Sequence, residues 1–191
     1  MTKSIFFASR YLFASCFALT FSTPLLAATV SETTLMQGSI VQRSTTHATV
    51  YTSVLIEATP AQVWTTLTDF GAMADWSSST LQGMTGDIQD DGSVVITFVF
   101  GEGENGDPIV NEIPHTLSYQ EGVSFGWSDP FPAEIGGGHD NHVYRLKACG
   151  ERTMFIQSDE IVDNPYAANF VSQLLPLYQL FNTELKTAVE N

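Results

Sequence analysis

The stretch that most constrains the fold is residues 48–76, where a strand pattern is followed directly by a helix start. Residues 50–56 are β-branched and apolar, and the run stops before Thr59 and Pro60. Thr59 is a residue type that caps helices, and Pro60 suits a first helical position because its missing N–H would have no partner there. The pattern predicts a strand followed by an amphipathic helix, with an apolar face formed by Val63, Trp64 and Leu67.

A second short helix and a series of strands follow. Asp69 is a capping residue type, and the pattern predicts a short helix from there to about Trp76. Beyond Leu81, β-branched and aromatic segments alternate with turn signals such as Asp91-Gly92, where glycine accepts a positive φ. The predicted strands cover residues 80–87, 93–101, 109–119, 123–128, 141–148 and 152–162.

The chain ends in a long amphipathic helix that Asn164 is predicted to cap and Pro165 to open, with Pro176 inside it. Its apolar positions recur every three or four residues and form one face that another element must cover. They are Tyr166, Phe170, Leu174, Tyr178, Phe181, Leu185 and Val189. The predicted order is therefore a strand, two short helices, six strands and a long helix, which is an α+β arrangement.

Residues 1–28 have the pattern of a secretory signal peptide. Lys3 and Arg10 precede an apolar run over residues 11–21, and Ala27-Ala28 offer small residues for cleavage. The apolar run is too short to span a bilayer comfortably. We therefore expect an exported protein, periplasmic or secreted, with no membrane span after cleavage.

The rest of the chain is expected to form a polar leader, residues 29–46, and one ligand-binding domain, residues 47–191. These residues keep five basic and all 21 acidic side chains, a formal charge of −16. Such a charge repels phosphate groups and excludes nucleic acid as a partner. Cys149 is the only cysteine after the signal peptide, so no intrachain disulfide is expected.

A series of short motifs occurs in a fixed order from about residue 48 to the end of the chain. The motifs are Ile56-Glu57-Ala58-Thr59-Pro60 with Val63-Trp64, Thr68-Asp69-Phe70, Asp75-Trp76, Phe125-x-Trp127, His142-x-Tyr144-x-Leu146, Arg152-Thr153, Ser158-Asp159-Glu160, Phe181-Asn182 and Leu185-Lys186. In this order they resemble the SRPBCC superfamily, the START-like or helix-grip fold of polyketide cyclases and lipid-transfer domains. The resemblance implies a curved, seven-stranded antiparallel sheet wrapped around the C-terminal helix, with a largely apolar cavity between them.

Regular strand alternation predicts which side chains would line such a cavity. Asn111 and His115 share one face of the strand at 109–119, and His142 shares a face with Tyr144. The complete predicted lining is Trp64, Phe98, Asn111, His115, Tyr119, Phe125, Trp127, His142, Tyr144, Phe155, Gln157, Asp159, Phe170, Leu174, Tyr178 and Phe181.

The last hairpin leaves two registers open. A two-residue turn at Cys149-Gly150 would place Gln157 and Asp159 on the same side as His142, and we prefer this register. A longer turn would place Ser158 and Glu160 there instead.

His142 and His115 are the candidate acid–base groups. An imidazole titrates near neutral pH, so His142 beside Gln157 or Asp159 could orient or protonate a bound carbonyl. The alternative is a histidine that only forms hydrogen bonds at the rim of the sheet. No metal site is predicted, because His139 and His142 would face opposite sides of a strand and no third ligand lies nearby. No cofactor is implied either.

Three functions remain open at this point. The expected one is a periplasmic carrier or sensor of a small hydrophobic ligand, lipid-like or aromatic, because pockets for such ligands are mostly apolar. The first alternative is a cyclase- or dehydratase-like enzyme with a cavity histidine as acid or base. The second alternative is a non-catalytic interaction module with a filled interior. Few ionisable groups converge in the predicted lining, which favours the carrier over the enzyme.

Overall fold

The structure is a computed structural model that describes residues 36–191, so the predicted signal peptide lies outside it. Within that range the order is β1 (Met36–Ser44), β2 (His47–Ile56), α1 (Pro60–Thr68), β3 (Thr80–Gly86), β4 (Ser93–Glu102), β5 (Pro108–Thr116), β6 (Ser118–Gln120), β7 (Ser124–Trp127), β8 (His139–Cys149), β9 (Arg152–Val162) and α2 (Ala167–Glu190). Single 3-10 turns lie at Met73–Asp75 and Ala133–Ile135.

The strands form two antiparallel sheets. One sheet has the order β1-β2-β9-β8-β7-β6, and the other has the order β3-β4-β5. The long helix α2 packs mainly across β2, with further contacts to β1 and β9. The α+β class and the sheet around a C-terminal helix are confirmed. The described residues contain nine strands in two sheets, however, and not seven strands in one.

The two additional strands have different origins. Residues 36–44, which belong to the predicted leader, form β1 and pair with β2. The predicted strand at 109–119 is divided at Leu117, so that β5 pairs with β4 and β6 pairs with β7. The Leu117 N–H donates to Gly92 O at 2.9 Å, and its carbonyl accepts from the Asp91 N–H at 2.8 Å. These two bonds remove Leu117 from both ladders and separate the sheets.

Helix α1 begins as predicted, and the second short helix is present only as a single 3-10 turn that Asp69 does not cap. The Thr59 N–H donates to Gln62 Oε1 at 3.0 Å and the Gln62 N–H donates to the Thr59 hydroxyl at 3.4 Å, which completes a capping box. Asp69 ends α1, because its ψ of 70° leaves the helical range. Only the 3-10 turn at Met73–Asp75 follows it.

The start of α2 also differs from the prediction. Asn164 does not cap the helix; its side-chain oxygen accepts from the Tyr166 N–H at 2.7 Å. Its amide group donates to the carbonyls of Ile135 and Gly137 at 2.9 and 2.7 Å. Asn164 therefore closes a turn and anchors the loop before β8, and the helix begins at Ala167.

The core consists of two clusters of buried side chains. The larger cluster lies between the sheets and the two helices and contains Trp64, Phe125, Trp127, Tyr144, Phe155 and Phe181 among others. The smaller cluster lies at the start of α2 and consists of Ala48, Val50, Ile161, Ala167, Val171 and Tyr178. Across residues 36–191, no helix has both the length and the apolar character that crossing a bilayer requires.

Candidate functional site

The hairpin of β8 and β9 brings four of the predicted polar and aromatic side chains to one face. Its turn falls at residues 150–151, one residue later than predicted. Each β8 residue is therefore paired with the β9 residue two positions beyond the predicted one. A shift of two residues leaves the same β9 side chains on the face that His142 shares. His142 lies opposite Asp159, and Tyr144 lies opposite Gln157. The preferred face is therefore the one observed.

A hydrogen-bond chain joins these four side chains to Tyr178 on α2. Gln157 Nε2 donates to His142 Nε2 at 3.1 Å and to the Tyr144 hydroxyl at 3.4 Å. Because His142 Nε2 accepts, its proton lies on Nδ1, which is 3.2 Å from the Tyr178 hydroxyl. That hydroxyl donates to Asp159 Oδ2 at 2.8 Å. One chain of contacts thus runs from Tyr144 on the sheet, through the helix, to Asp159.

Burial determines the protonation states in this chain. All five side chains are at most 4% exposed. Loss of hydration, with a smaller contribution from the nearby His115, lowers the pKa of His142 to about 3. Loss of hydration, reinforced by the charge of Asp140, raises the pKa of Asp159 to about 7. The site therefore holds an uncharged imidazole 3.8 Å from a carboxyl group that retains its proton unusually well.

Aromatic rings enclose this polar chain. The His142 ring centroid lies 4.6 Å from that of Trp127 and 4.7 Å from that of Tyr144. Phe125 stacks on Tyr144 at 4.9 Å, and Phe181 lies 5.4 Å from Tyr144. Trp64, Phe98 and Phe155 are buried in the same cluster, and Tyr119 packs against it. Apart from Phe170, the predicted aromatic lining residues thus contact one another and form a continuous interior wall.

Three of the predicted lining residues lie elsewhere. Asn111 is exposed on β5, as is every residue from 108 to 112; the nearby Ile109 is 45% exposed. Phe170 and Leu174 are half-buried against the smaller core cluster. Tyr178 belongs to this cluster as well, and its hydroxyl reaches the buried hydrogen-bond chain; Phe170 and Leu174 lie two turns and one turn before it on α2.

His115 lies where the two sheets separate. Its Nδ1 contacts the carboxylate of Asp129, which follows β7, and the histidine side chain is 6% exposed. The Asp129 N–H donates in turn to Asp140 Oδ1 at 3.0 Å. The His115 ring centroid is 5.4 Å from that of Trp127, so Trp127 contacts both candidate histidines.

Two concave sites open at the break between the sheets. One, of about 410 Å³, is lined by His115, Asp129 and the neighbouring ends of β4 and β5. The other, of about 330 Å³, is lined by residues that include Gly126, Trp127 and His142. Gly126 is required at this point, because a Cβ atom would lie 2.1 Å from the His142 carbonyl oxygen. Trp127 and His142 border this concavity, but their side chains are at most 5% exposed and belong to the interior wall.

Three residues of this region were not predicted from the sequence. Thr52 and Asn182 are buried at the interior with polar atoms that have no partner among the described residues. Both had a detectable signal, since Thr52 alternates with Val50 and Val54 and Asn182 lies four residues after Tyr178 on the apolar helix face. Asp129, the partner of His115, lies in a loop where no periodic signal exists.

The positions of the acidic and histidine side chains show whether they could hold a metal ion together. Within residues 36–191, no three His, Cys, Asp or Glu side chains come together as a metal ion would require. The buried His142 is engaged by Gln157 and Tyr178 through both ring nitrogens. What this site can do chemically is donate and accept hydrogen bonds inside an aromatic enclosure.

Solved structures share this fold at low sequence identity. The Zhui aromatase/cyclase from Streptomyces sp. R1128 has a TM-score of 0.53 and 14% identity, covering 81% of this chain and 94% of that chain. A conserved protein of unknown function from Enterococcus faecalis has a TM-score of 0.55 and 17% identity, covering 80% and 77%. Ara h 8.0201 has a TM-score of 0.50 and 14% identity, covering 75% and 97%. No curated protein sequence matches the chain.

A sequence model of one protein family matches residues 47–190. The match begins at the first residue of β2 and ends at the last residue of α2, so it includes the whole interior wall and the buried hydrogen-bond chain. The family is described as polyketide cyclase/dehydrase and lipid transport. The chain belongs to this polyketide cyclase/dehydrase and lipid transport family.

Proposed function

We propose that the protein binds a small hydrophobic molecule, lipid-like or aromatic, between the six-stranded sheet and α2. The observation that carries the proposal is that the aromatic interior wall, at Trp127 and His142, directly adjoins the concavity of about 330 Å³ at the sheet break. Ligand pockets combine a mostly apolar wall with a few polar groups, which is the composition found here. The lipid transport in the family description supports the same conclusion.

Carrier or sensor activity suits the protonation state of the site better than catalysis at His142. Both ring nitrogens of His142 are engaged, and its pKa is lowered to about 3 by burial. A histidine in this state exchanges protons poorly at neutral pH, whereas its hydrogen bonds hold the wall rigid. The N-terminal signal pattern around Lys3 and Arg10 supports a place of action outside the cytoplasm, in the periplasm or the medium.

The test uses N-phenyl-1-naphthylamine, a neutral probe whose fluorescence rises in apolar sites. Ser128 is exposed and lines the concavity beside His142, so Ser128→Phe should obstruct access. We expect saturable probe binding by the wild type, and binding weakened about tenfold or more by Ser128→Phe. Ser172→Phe, on the exposed side of α2, is the matched control and should bind as the wild type does. Absence of probe binding by the wild type would contradict the proposal and would favour the alternative, an interaction module with a filled interior.

A second candidate function, acid–base catalysis, is favoured by one observation at His115. The Asp129 carboxylate contacts His115 Nδ1, and a carboxylate partner of this kind orients an imidazole for proton transfer. The dyad lines its own concavity of about 410 Å³. If a bound compound is converted by the wild type and His115→Gln binds it without converting it, the protein is an enzyme. Equal conversion by both proteins, or none by either, would exclude catalysis at this histidine.

A further inference from the structure

Among the buried polar atoms without a hydrogen-bond partner in residues 36–191, five lie on β9, on α2 and on the Val50 side of β2. They are Thr52 Oγ1, Gln157 Oε1, Asp159 Oδ1 and both amide atoms of Asn182. The four side chains are 0–3% exposed. An unpaired buried polar group costs about 1–3 kcal/mol, so such groups normally meet a water molecule or a ligand.

The strand register brings three of these side chains together. Thr52 on β2 lies directly opposite Gln157 on β9, and directly opposed residues share a face with their Cβ atoms about 5 Å apart. Asp159 follows Gln157 by two residues and lies on that same face. The unpaired atoms of the sheet therefore form one patch rather than a scatter of isolated defects.

Asn182 places a fourth group on the helix that covers this patch. It lies one turn beyond Tyr178 on α2, and the Tyr178 hydroxyl contacts Asp159 directly. Both residues belong to the buried face of α2. The interior thus presents unpaired polar atoms from its sheet side and from its helix side.

The chemistry of these atoms defines what can satisfy them. The Gln157 amide nitrogen already donates to His142 and Tyr144, so its free oxygen requires a donor. The Thr52 hydroxyl and the Asn182 amide can each donate and accept. A partner that only accepts would leave the Gln157 oxygen unpaired.

Resting on the ligand-binding function above, we propose that the ligand is a neutral ring compound carrying a group that both donates and accepts hydrogen bonds. A phenol, an alcohol or an amide has this character, and the corresponding carboxylate does not. A carboxylate only accepts hydrogen bonds, and a buried anion requires a cationic partner. None of the side chains Thr52, Gln157, Asp159 and Asn182 supplies a positive charge.

The test compares three probes of equal ring size: naphthalene, 2-naphthol and 2-naphthoate. Each displaces N-phenyl-1-naphthylamine from the purified protein, and the midpoint of displacement gives its affinity. We expect 2-naphthol to bind about tenfold more tightly than naphthalene, which corresponds to one satisfied buried hydrogen bond. We expect 2-naphthoate to bind more weakly than naphthalene.

Two nearly isosteric variants test whether the unpaired atoms cause the preference for 2-naphthol over naphthalene. Thr52→Val and Asn182→Leu each remove unpaired polar atoms without removing any hydrogen bond within the protein. Both variants should raise the melting temperature of the ligand-free protein and reduce the preference for 2-naphthol about fivefold. The control is Thr49→Val, because the Thr49 hydroxyl is also buried and unpaired but lies on the opposite face of β2. Thr49→Val should leave the preference unchanged.

The outcomes separate this inference from the proposed function. Equal affinity for naphthalene and 2-naphthol, or tightest binding of 2-naphthoate, would overturn the inference and leave the ligand-binding function intact. An unchanged preference in both Thr52→Val and Asn182→Leu would also overturn it. Failure of the wild type to bind N-phenyl-1-naphthylamine and all three probes would overturn the proposed function itself.

Discussion

The Tyr178 hydroxyl on α2 donates a 2.8 Å hydrogen bond to Asp159 Oδ2 on β9. The same hydroxyl lies 3.2 Å from His142 Nδ1, so one oxygen atom bridges the imidazole and the carboxyl group. The contact is a direct polar link between the helix and the sheet within the interior. Its surroundings are aromatic, which makes the loss of any partner costly.

The Asp159–His142 pair predicts opposite pH dependences for two single variants. The pKa of Asp159 is raised to about 7, so its contribution to stability is lost as pH rises from about 4 to about 7. The pKa of His142 is lowered to about 3, so the unfolded chain binds a proton that the folded chain does not. Its contribution therefore grows as pH rises from about 3 to about 6.5. In the wild type these two slopes oppose each other.

Asp159→Asn should therefore make the free energy of unfolding rise with pH, relative to the wild type, between about pH 4 and 6.5. His142→Gln should make it fall over the same range, because only the Asp159 contribution remains. Each slope is at most about 1.4 kcal/mol per pH unit. Urea unfolding of the three proteins at several pH values measures both slopes. If the folded pair were an ion pair, neither variant would show these slopes between about pH 4 and 6.5, because both pKa shifts would then act outside that range.

Removing the bridging hydroxyl should destabilise the protein. Tyr178→Phe leaves His142 Nδ1 and Asp159 Oδ2 without their partner in the interior. The expected loss in the free energy of unfolding is about 1–3 kcal/mol. Tyr166→Phe is the matched control, since Tyr166 is 54% exposed and should change the stability little. Equal urea midpoints for the two variants would show that the buried bridge contributes nothing.

The close approach of β7 and β8 predicts a strong effect of one added methyl group. In Gly126→Ala the new Cβ atom would lie 2.1 Å from the His142 carbonyl oxygen, so the backbone of β8 must move. We expect a loss of stability of about 1–3 kcal/mol, with faster hydrogen exchange along β7 and β8. In Gly71→Ala the nearest atom is 3.9 Å away, and the stability should stay close to that of the wild type. Similar exchange rates in both variants would contradict the packing argument.

The last hairpin was predictable because strand alternation depends on parity. His142 and Asp159 share a face whether the turn is at 149–150 or, as observed, at 150–151. The capping box of Thr59 and Gln62 is similarly local, since both partners lie within four residues. Local chemistry of this kind can be predicted without knowledge of the rest of the fold.

The break between the sheets could not be predicted in the same way. It depends on backbone bonds from Leu117 to Asp91 and Gly92, which lie about 25 residues earlier in the chain. Asn164 has the residue type of a helix cap, yet contacts with Ile135 and Gly137 direct it to another role. Long-range contacts of this kind override local preference.

The distinction between lining and surface residues also depends on tertiary packing. Asn111 has the alternation of an interior residue but lies on the part of β5, residues 108–112, where every residue is exposed. Asn182 and Thr52 have polar side chains that composition would place outside, and they are buried. Their positions on the apolar faces of β2 and α2 are the sequence feature that indicates burial. The packing of α2 on the sheet is what buries them.

Native mass spectrometry of the protein purified from its own cells, followed by solvent extraction, tests ligand binding most directly. The predicted result is a retained neutral compound, on the order of a few hundred daltons, that is released on extraction. The compound should be depleted in Ser128→Phe and retained in Ser172→Phe. A folded wild-type protein that carries no compound and does not bind N-phenyl-1-naphthylamine would contradict the account.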